Sequence, residues 1–265
     1  MEVLSERSSR VVSYAKLHRA TVRRAEGRFL VEGPNSVTAA LETGRAQRLL
    51  VREADLSRHA SVLDEARASD VAVEVLSERA VAKLSESTTA PGIFAICELL
   101  DRPLSSVLEN EPWLLSIAVE PREPGNLGTL IRCADAMGAD AMILLGDAVD
   151  PHNAKCVRAS AGSLFHVPVV RHRDVAAGLQ AIRAAGITLL ATAADGELSL
   201  DDADDVLSDR TAWLFGNEAH GLPDDVAAGA DKRVAIPIRG RAESLNLAAA
   251  AAICLYASAR RHSEA

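Results

Sequence analysis

The stretch EPGNLGTLIRCADAMGAD, residues 123 to 140, crowds a Pro-Gly break, an asparagine, a second glycine and an arginine into its first ten residues. Apolar runs flank it, WLLSIAVE before and AMILLG after, so it reads as the loop and helix of a strand–helix–strand unit. Leu130, Ile131, Ala134 and Met137 recur at helical spacing, with Arg132 off that stripe and placed near the helix start. Backbone N–H groups in such a loop, with the positive end of a helix, favour an anion or a polar cofactor at the carboxyl ends of the strands. A plain turn in which glycine supplies positive φ and Asn126 caps the helix accounts for the same residues. Two later stretches are of the same kind. LFGNEAHGL sets Gly216, Asn217, Glu218 and Gly221 after one strand, and IPIRGRAESLNLAAA sets Gly240, Glu243, Ser244 and Asn246 at the mouth of a long helix beginning near Glu243. Singly, a tight turn and an N-cap explain them. Together, three polar glycine loops that each follow a buried strand are expected to converge at one carboxyl edge, where α/β ligands bind.

The elements that must position these loops alternate along the chain. Strands are expected at RFLVEG, RLLVRE, VAVEVL and GIFAICEL, separated by helical patterns such as NSVTAALETG and ERAVAKLSES. Periodicity lapses around ELLDRPLSSVLENEPW and restarts at Trp113. This gives a first domain over 1–103, a linker over 104–112 and a second domain over 113–265. The second alternates AMILLG, a helix through HNAKCVRAS, FHVPVV, a helix through DVAAGLQAIRAAG, then ITLLATAA, TAWLFG and RVAIPI. Both domains read as α/β with mainly parallel sheets.

A chain of 265 residues that is 48% hydrophobic and 3% aromatic can bury a core in one or two domains. Its four cysteines, Cys97, Cys133, Cys156 and Cys254, have no metal-ligand or C-x-x-C spacing, so no metal and a reduced cytoplasmic setting are expected. The first residues lack the apolar core of a signal peptide, and no run reaches the roughly 18 apolar residues that span a bilayer. The net charge of −8 argues against a nucleic-acid partner only on average. Residues 1 to 30 carry seven bases (Arg7, Arg10, Lys16, Arg19, Arg23, Arg24, Arg28) against three acids, whereas DGELSLDDADDVLSD holds seven acids and no base. The basic stretch suits phosphate contacts or an ordinary charged helix face, and the acidic one suits a solvated loop.

In order, N-L-G-T-L-I-R, L-F-G-N-E-A-H-G-L and I-P-I-R-G-R-A-E-S-L-N-L resemble the three motifs of the SpoU/TrmH group of SPOUT RNA ribose methyltransferases. VRASAGSLFHVPVV fits that group too, and RFLVEGPNSVTAAL resembles the ribosomal-protein-like substrate-binding domain many members carry. The resemblance implies S-adenosylmethionine as methyl donor, a ribose 2′-hydroxyl in RNA as acceptor, a homodimer built around the cofactor site, and a deep trefoil knot in the second domain. Ribosomal RNA is the expected substrate, since an added N-terminal domain suits a structured loop. The resemblance makes Arg132 the residue at the reacting hydroxyl and Asn126, Glu218, Ser244 and Asn246 the polar set that orients it. Such groups are expected in one paired network if buried. The adenosine is expected on backbone near Thr192, Gly216, Ile236 and Leu245, with Asn217 where several relatives carry serine. Arg158, with Arg10, Lys16, Arg23, Arg24 and Arg28, is expected on RNA phosphates. The Arg-Glu pair of PREPGN departs from the family pattern and bears on substrate choice. Two other classes fit parts of the sequence. An NAD-dependent dehydrogenase would use EPGNLGTLIR with Asp147 downstream, but no G-x-G-x-x-G is present. A non-catalytic RNA-binding scaffold would use the basic stretch alone.

Overall fold

Strands LLSIAV, AMILL and TAWLF have no solvent-facing residue, which is why they read as unbroken apolar runs rather than alternating ones. A computed structural model describes residues 2–217 and 220–262, and within it the chain divides into two compact units. The smaller comprises residues 1–100 with 150–166, and the larger comprises 101–149 with 167–265.

In the larger unit the strands are β6 (Asp101–Arg102), β7 (Leu114–Val119), β8 (Ala141–Leu145), β9 (Val169–His172), β10 (Thr188–Thr192), β11 (Leu198–Ser199), β12 (Thr211–Phe215) and β13 (Lys232–Ala235). They form one sheet in the order β11-β13-β10-β12-β7-β8-β9-β6, and every pairing is parallel. On one face Leu115, Ile117, Ile143, Leu145, Leu189 and Leu214 pack with Ile182 of helix Val175–Ala184. The other face is covered by helices Pro124–Ala136 and Leu247–His262, which also pack on each other. There the buried Trp213 indole donates to Ser258 Oγ at 2.9 Å, so a polar atom taken out of water keeps a partner.

The linker expected over 104–112 is not one. β6 adds an edge strand beside β9, and Leu104 and Val107 of helix Leu104–Leu108 are buried in the large core. A proline followed by short polar residues interrupts the apolar periodicity, which hid a one-turn helix.

The smaller unit holds β1 (Val3–Leu4), β2 (Arg28–Glu32), β3 (Ala46–Arg52), β4 (Ala72–Leu76) and β5 (Ile93–Glu98), ordered β1-β4-β3-β5-β2. Its sheet is mixed, not mainly parallel: β4 runs parallel to β1 and β3, while β5 is antiparallel to β3 and β2. The expectation failed because pairing direction depends on the connections between strands, and apolar content does not report it. One face packs Leu30, Leu50, Phe94 and Ile96 against Val11, Tyr14 and Leu84. Over the opposite face Phe29 meets His152 edge-on, with ring centroids 4.6 Å apart, and stacks with Phe165 at 6.1 Å. The segment 150–166 is thereby drawn from between β8 and β9 into the smaller unit. No described helix is long and apolar enough to cross a membrane.

Candidate active site

The loops after β7, β10, β12 and β13 meet in one cleft of about 530 Å³. Parallel strands point their carboxyl ends the same way, so loops distant in sequence are delivered to a single edge. The cleft is lined by Asn126, by Thr192 to Ala194, by Gly216, Asn217, Gly221 and Leu222, and by Ile236, Ile238 and Glu243 to Leu247. Its volume lies within the roughly 300–1,000 Å³ of small-ligand sites, and apolar Ile236, Ile238 and Leu245 alternate there with backbone and amide groups.

Each loop is held by specific bonds. Thr192 Oγ1 donates to Leu214 O at 2.9 Å, tying β10 to β12. Asn217 and Gly221 exchange two backbone hydrogen bonds of 2.9 and 2.8 Å, closing the loop after β12. Asn217 Nδ2 donates to Glu120 O at 3.0 Å, where Glu120 adopts a left-handed φ of 49°. Glu120 was not read from the sequence, since only glycine and asparagine advertise that conformation. Asn246 Oδ1 accepts from Ala248 N at 2.9 Å and caps the last helix, which starts at Leu247 rather than Glu243.

The first loop differs from its expected form. The helix begins at Pro124, and Glu123, not Asn126, caps it by accepting from Asn126 N at 2.8 Å. Of the Arg-Glu pair of PREPGN, Glu123 therefore caps the helix, while Arg122 makes a surface ion pair with Asp147 at 2.7 Å. Asp147 does not line the cleft, which removes the ribose-binding acid from a dehydrogenase reading. Arg132 lies in the third turn, not near the helix start. Six residues on from Asn126, it sits about 240° round the helix from it. It is exposed, makes no hydrogen bond or ion pair with a described residue, and does not line the cleft. Burial pushes the neighbouring Cys133 thiol up, and the Arg132 charge partly offsets that. Ser244 and Asn246 are exposed as well, so the argument that burial forces these groups into one network does not hold. Glu218 lies outside the described residues.

Family models match both parts of the chain: the SpoU rRNA Methylase family over residues 114–256 and the MRM3-like substrate binding domain over residues 8–95. The chain belongs to the SpoU rRNA methylase family. It is 34% identical to the 23S rRNA (guanosine(2553)-2'-O)-methyltransferase RlmP of Bacillus subtilis (strain 168), over 96% of this chain and 98% of that relative. It is 35% identical to the 23S rRNA (uridine(2479)-2'-O)-methyltransferase of Streptomyces viridochromogenes, over 90% of this chain and 85% of the relative. The crystal structure of an AdoMet bound rRNA methyltransferase from Sinorhizobium meliloti superposes with a TM-score of 0.85 at 32% identity, covering 99% of this chain and 98% of the other.

The basic residues of this SpoU methylase divide sharply in the smaller unit. Arg23 is 4% exposed. Its Nε and Nη2 donate to Asp150 Oδ2 at 3.0 and 2.6 Å, and its Nη1 donates to the carbonyls of Leu17 and His18 at 2.8 Å. That fork is filled, so the reading of Arg23 as a phosphate contact is corrected to a structural role. Burial alone would raise the Asp150 carboxyl, but hydrogen bonds from His152 and Arg23 outweigh it and hold the group well below the usual carboxylate range. Arg158 donates to the buried Glu32 carboxylate at 3.1 Å, which argues for anchoring segment 150–166 before any RNA contact. Arg10 pairs with buried Glu74 at 2.9 Å, and Arg28 with Glu26 at 2.6 Å. Lys16 and Arg24 are exposed and have no ion pair among the described residues.

Proposed function

We propose that this SpoU methylase transfers a methyl group from S-adenosylmethionine to a ribose 2′-hydroxyl of ribosomal RNA, acting as a homodimer. The observation that carries the reading is the convergence of Asn126, Thr192, Gly216, Asn217 and Ser244 to Asn246 on one cleft at the carboxyl ends of parallel strands. In this reading the backbone at Thr192, Gly216, Ile236 and Leu245, with Asn217, holds the adenosine. The bound donor supplies an electrophilic methyl on a sulfonium. The protein's part is to bring the hydroxyl oxygen into line and to stabilise it as its proton leaves. Asn126, Ser244 and Asn246, with Glu218, orient the ribose. Arg132 offers charge to the developing alkoxide or its neighbouring phosphate; a guanidinium, with a pKa above about 12, is a poor base near pH 7. RNA is met also by the smaller unit, where Lys16 and Arg24 have no ion pair among the described residues and Arg10, Arg28 and Arg158 would have to exchange partners. The reading includes a trefoil knot, supported by β10 lying between β12 and β13 while the last helix returns to pack on Pro124–Ala136. It also includes a cytoplasmic setting, where the described cysteines stay as thiols. Incubating the protein with methyl-labelled donor and total RNA from cells lacking the gene should label ribose. Label confined to bases, or none, rejects the assignment.

The loop after β12 gives a direct test of the cofactor cradle. A Cβ on Gly216 would stand 2.1 Å from Gly221 C and 2.2 Å from Leu222 N, so alanine must force the Asn217–Gly221 bridge apart. Overpacking of this kind costs about 1–3 kcal/mol. Gly216→Ala should therefore weaken S-adenosylmethionine binding by roughly ten- to hundredfold in calorimetric titration, and wild-type affinity would contradict the placement.

Dimerisation is supported by the last helix. Its buried face holds Ala251, Cys254, Leu255 and Ser258, yet Ile253 and Tyr256 on the outer face are 40% and 58% exposed. A second copy of the chain would cover that stripe. Ile253→Glu combined with Tyr256→Glu should convert a dimer to a monomer in sedimentation velocity, and an unchanged sedimentation coefficient would place the contact elsewhere.

A further inference from the structure

The loop joining β13 to the last helix carries Arg239 and Arg241 between residues that line the cleft, Ile238 before them and Glu243 after. Three arginines occur between 233 and 241, and the structure treats them differently. Arg233 has its fork filled, with Nε donating to Glu197 at 3.0 Å and Nη1 to Asp195 at 3.2 Å. Arg239 is 80% exposed and, among the described residues, held by the carboxylate of Asp201, itself 57% exposed. Arg241 is exposed and has no hydrogen bond or ion pair with a described residue. Asp201 belongs to the acidic stretch that reads from sequence as a solvated loop; its carboxylates remain 47–82% exposed and also engage Arg233, Arg239, Arg260 and Arg261.

We propose that Arg239 and Arg241 position the substrate by gripping phosphodiester groups beside the ribose that enters the cleft, Arg241 directly and Arg239 by exchanging Asp201 for a phosphate. The inference rests on the RNA methyltransferase reading above. A ribose cannot reach the cleft without bringing its flanking phosphates to the rim, and the chain as a whole carries a net charge of −8. Local cations must offset that repulsion. The planar guanidinium fork matches phosphate oxygens in pairs. An exposed ion pair is weak, so a phosphate can replace the Asp201 carboxylate at small cost. Asp201 then serves as a stand-in that keeps Arg239 extended along the rim until RNA arrives.

The test uses the full-length protein and ribosomal RNA purified from cells lacking the gene, with binding measured across a salt series and steady-state methyl transfer measured in parallel. Each phosphate contact contributes about 0.7–0.9 to the salt slope, which is roughly five- to eightfold in affinity near 0.1 M salt. Arg241→Gln should lose that much affinity and slope, raise KM for RNA in proportion, and leave S-adenosylmethionine affinity unchanged. Arg241→Lys should keep the slope while recovering only part of the affinity. Arg239→Gln should behave like Arg241→Gln, whereas Asp201→Asn should tighten RNA binding by about two- to fivefold. An unchanged salt slope in both glutamine variants overturns the proposal, as does a parallel loss of S-adenosylmethionine affinity, which would make these residues supports of the cofactor loop. If the wild-type protein labels no ribose, the function reading fails instead; the salt slopes still report separately whether the two arginines hold RNA.

Discussion

Arg132→Ala is expected to lower kcat by about 10²–10³-fold, the size found when one preorganised electrostatic group is removed from a transition state. S-adenosylmethionine affinity should stay near wild type, because Arg132 does not line the cleft. Its exposure and lack of a described partner mean that little folding energy is tied up in it, so the variant should unfold at the wild-type temperature. Arg132→Lys should rescue little, since a point-like ammonium cannot reproduce the planar fork. The two observations together separate chemistry from structure: a loss of turnover with intact fold and cofactor binding supports a role at the reacting hydroxyl. Turnover within threefold or so of wild type in the alanine variant would remove Arg132 from the mechanism.

The largest stability loss is expected from Arg23→Ala. Removing one partner of a buried ion pair leaves the other charge uncompensated and costs about 3–5 kcal/mol. Here Asp150 would lose the charge that pairs with it and keep its hydrogen bond from His152, while the carbonyls of Leu17 and His18 would lose a shared donor. Denaturant unfolding at neutral pH should show this as a lowered midpoint. The loss should also depend on pH in a definite sense. The Asp150 carboxyl is held below its ordinary value of about 4, so the pair's stabilisation is present above that value and fades as pH falls toward the depressed folded one. The gap between wild type and variant should therefore be widest at neutral pH and narrow below about pH 4. A constant gap would mean that the arginine acts through packing alone.

Replacing Arg23, Arg24 and Arg28 together would weaken RNA binding whether or not the stretch touches RNA, because the first of the three unfolds its surroundings. Arg24 and Lys16, both exposed and unpaired among described residues, are the informative positions.

Sequence alone determined the parts of this protein that depend on local periodicity. Unbroken apolar runs announced strands covered on both faces, as LLSIAV and TAWLF prove to be. Their regular alternation with helices announced a parallel sheet, and glycine-bearing loops after those strands announced one shared edge. The ordered motifs carried the family. What the sequence left open is every property set by a partner distant in the chain. Arg23 and Arg24 are neighbours of identical type, yet one is buried against Asp150, 127 residues away, and the other faces solvent. Nothing within a helical turn distinguishes them; the turn that presents the carbonyls of Leu17 and His18 and the approach of segment 150–166 do. Arg132 and Asn126 share a motif but point to different sides of their helix, an angle that spacing implies and shared motif membership conceals. The acidic stretch is solvated as read, but its ion pairs were not legible because the basic partners lie some thirty to sixty residues on, at Arg233, Arg239, Arg260 and Arg261. Local sequence fixes which face of an element is apolar, whereas the energy of a charge depends on what the tertiary fold brings within a few ångströms of it.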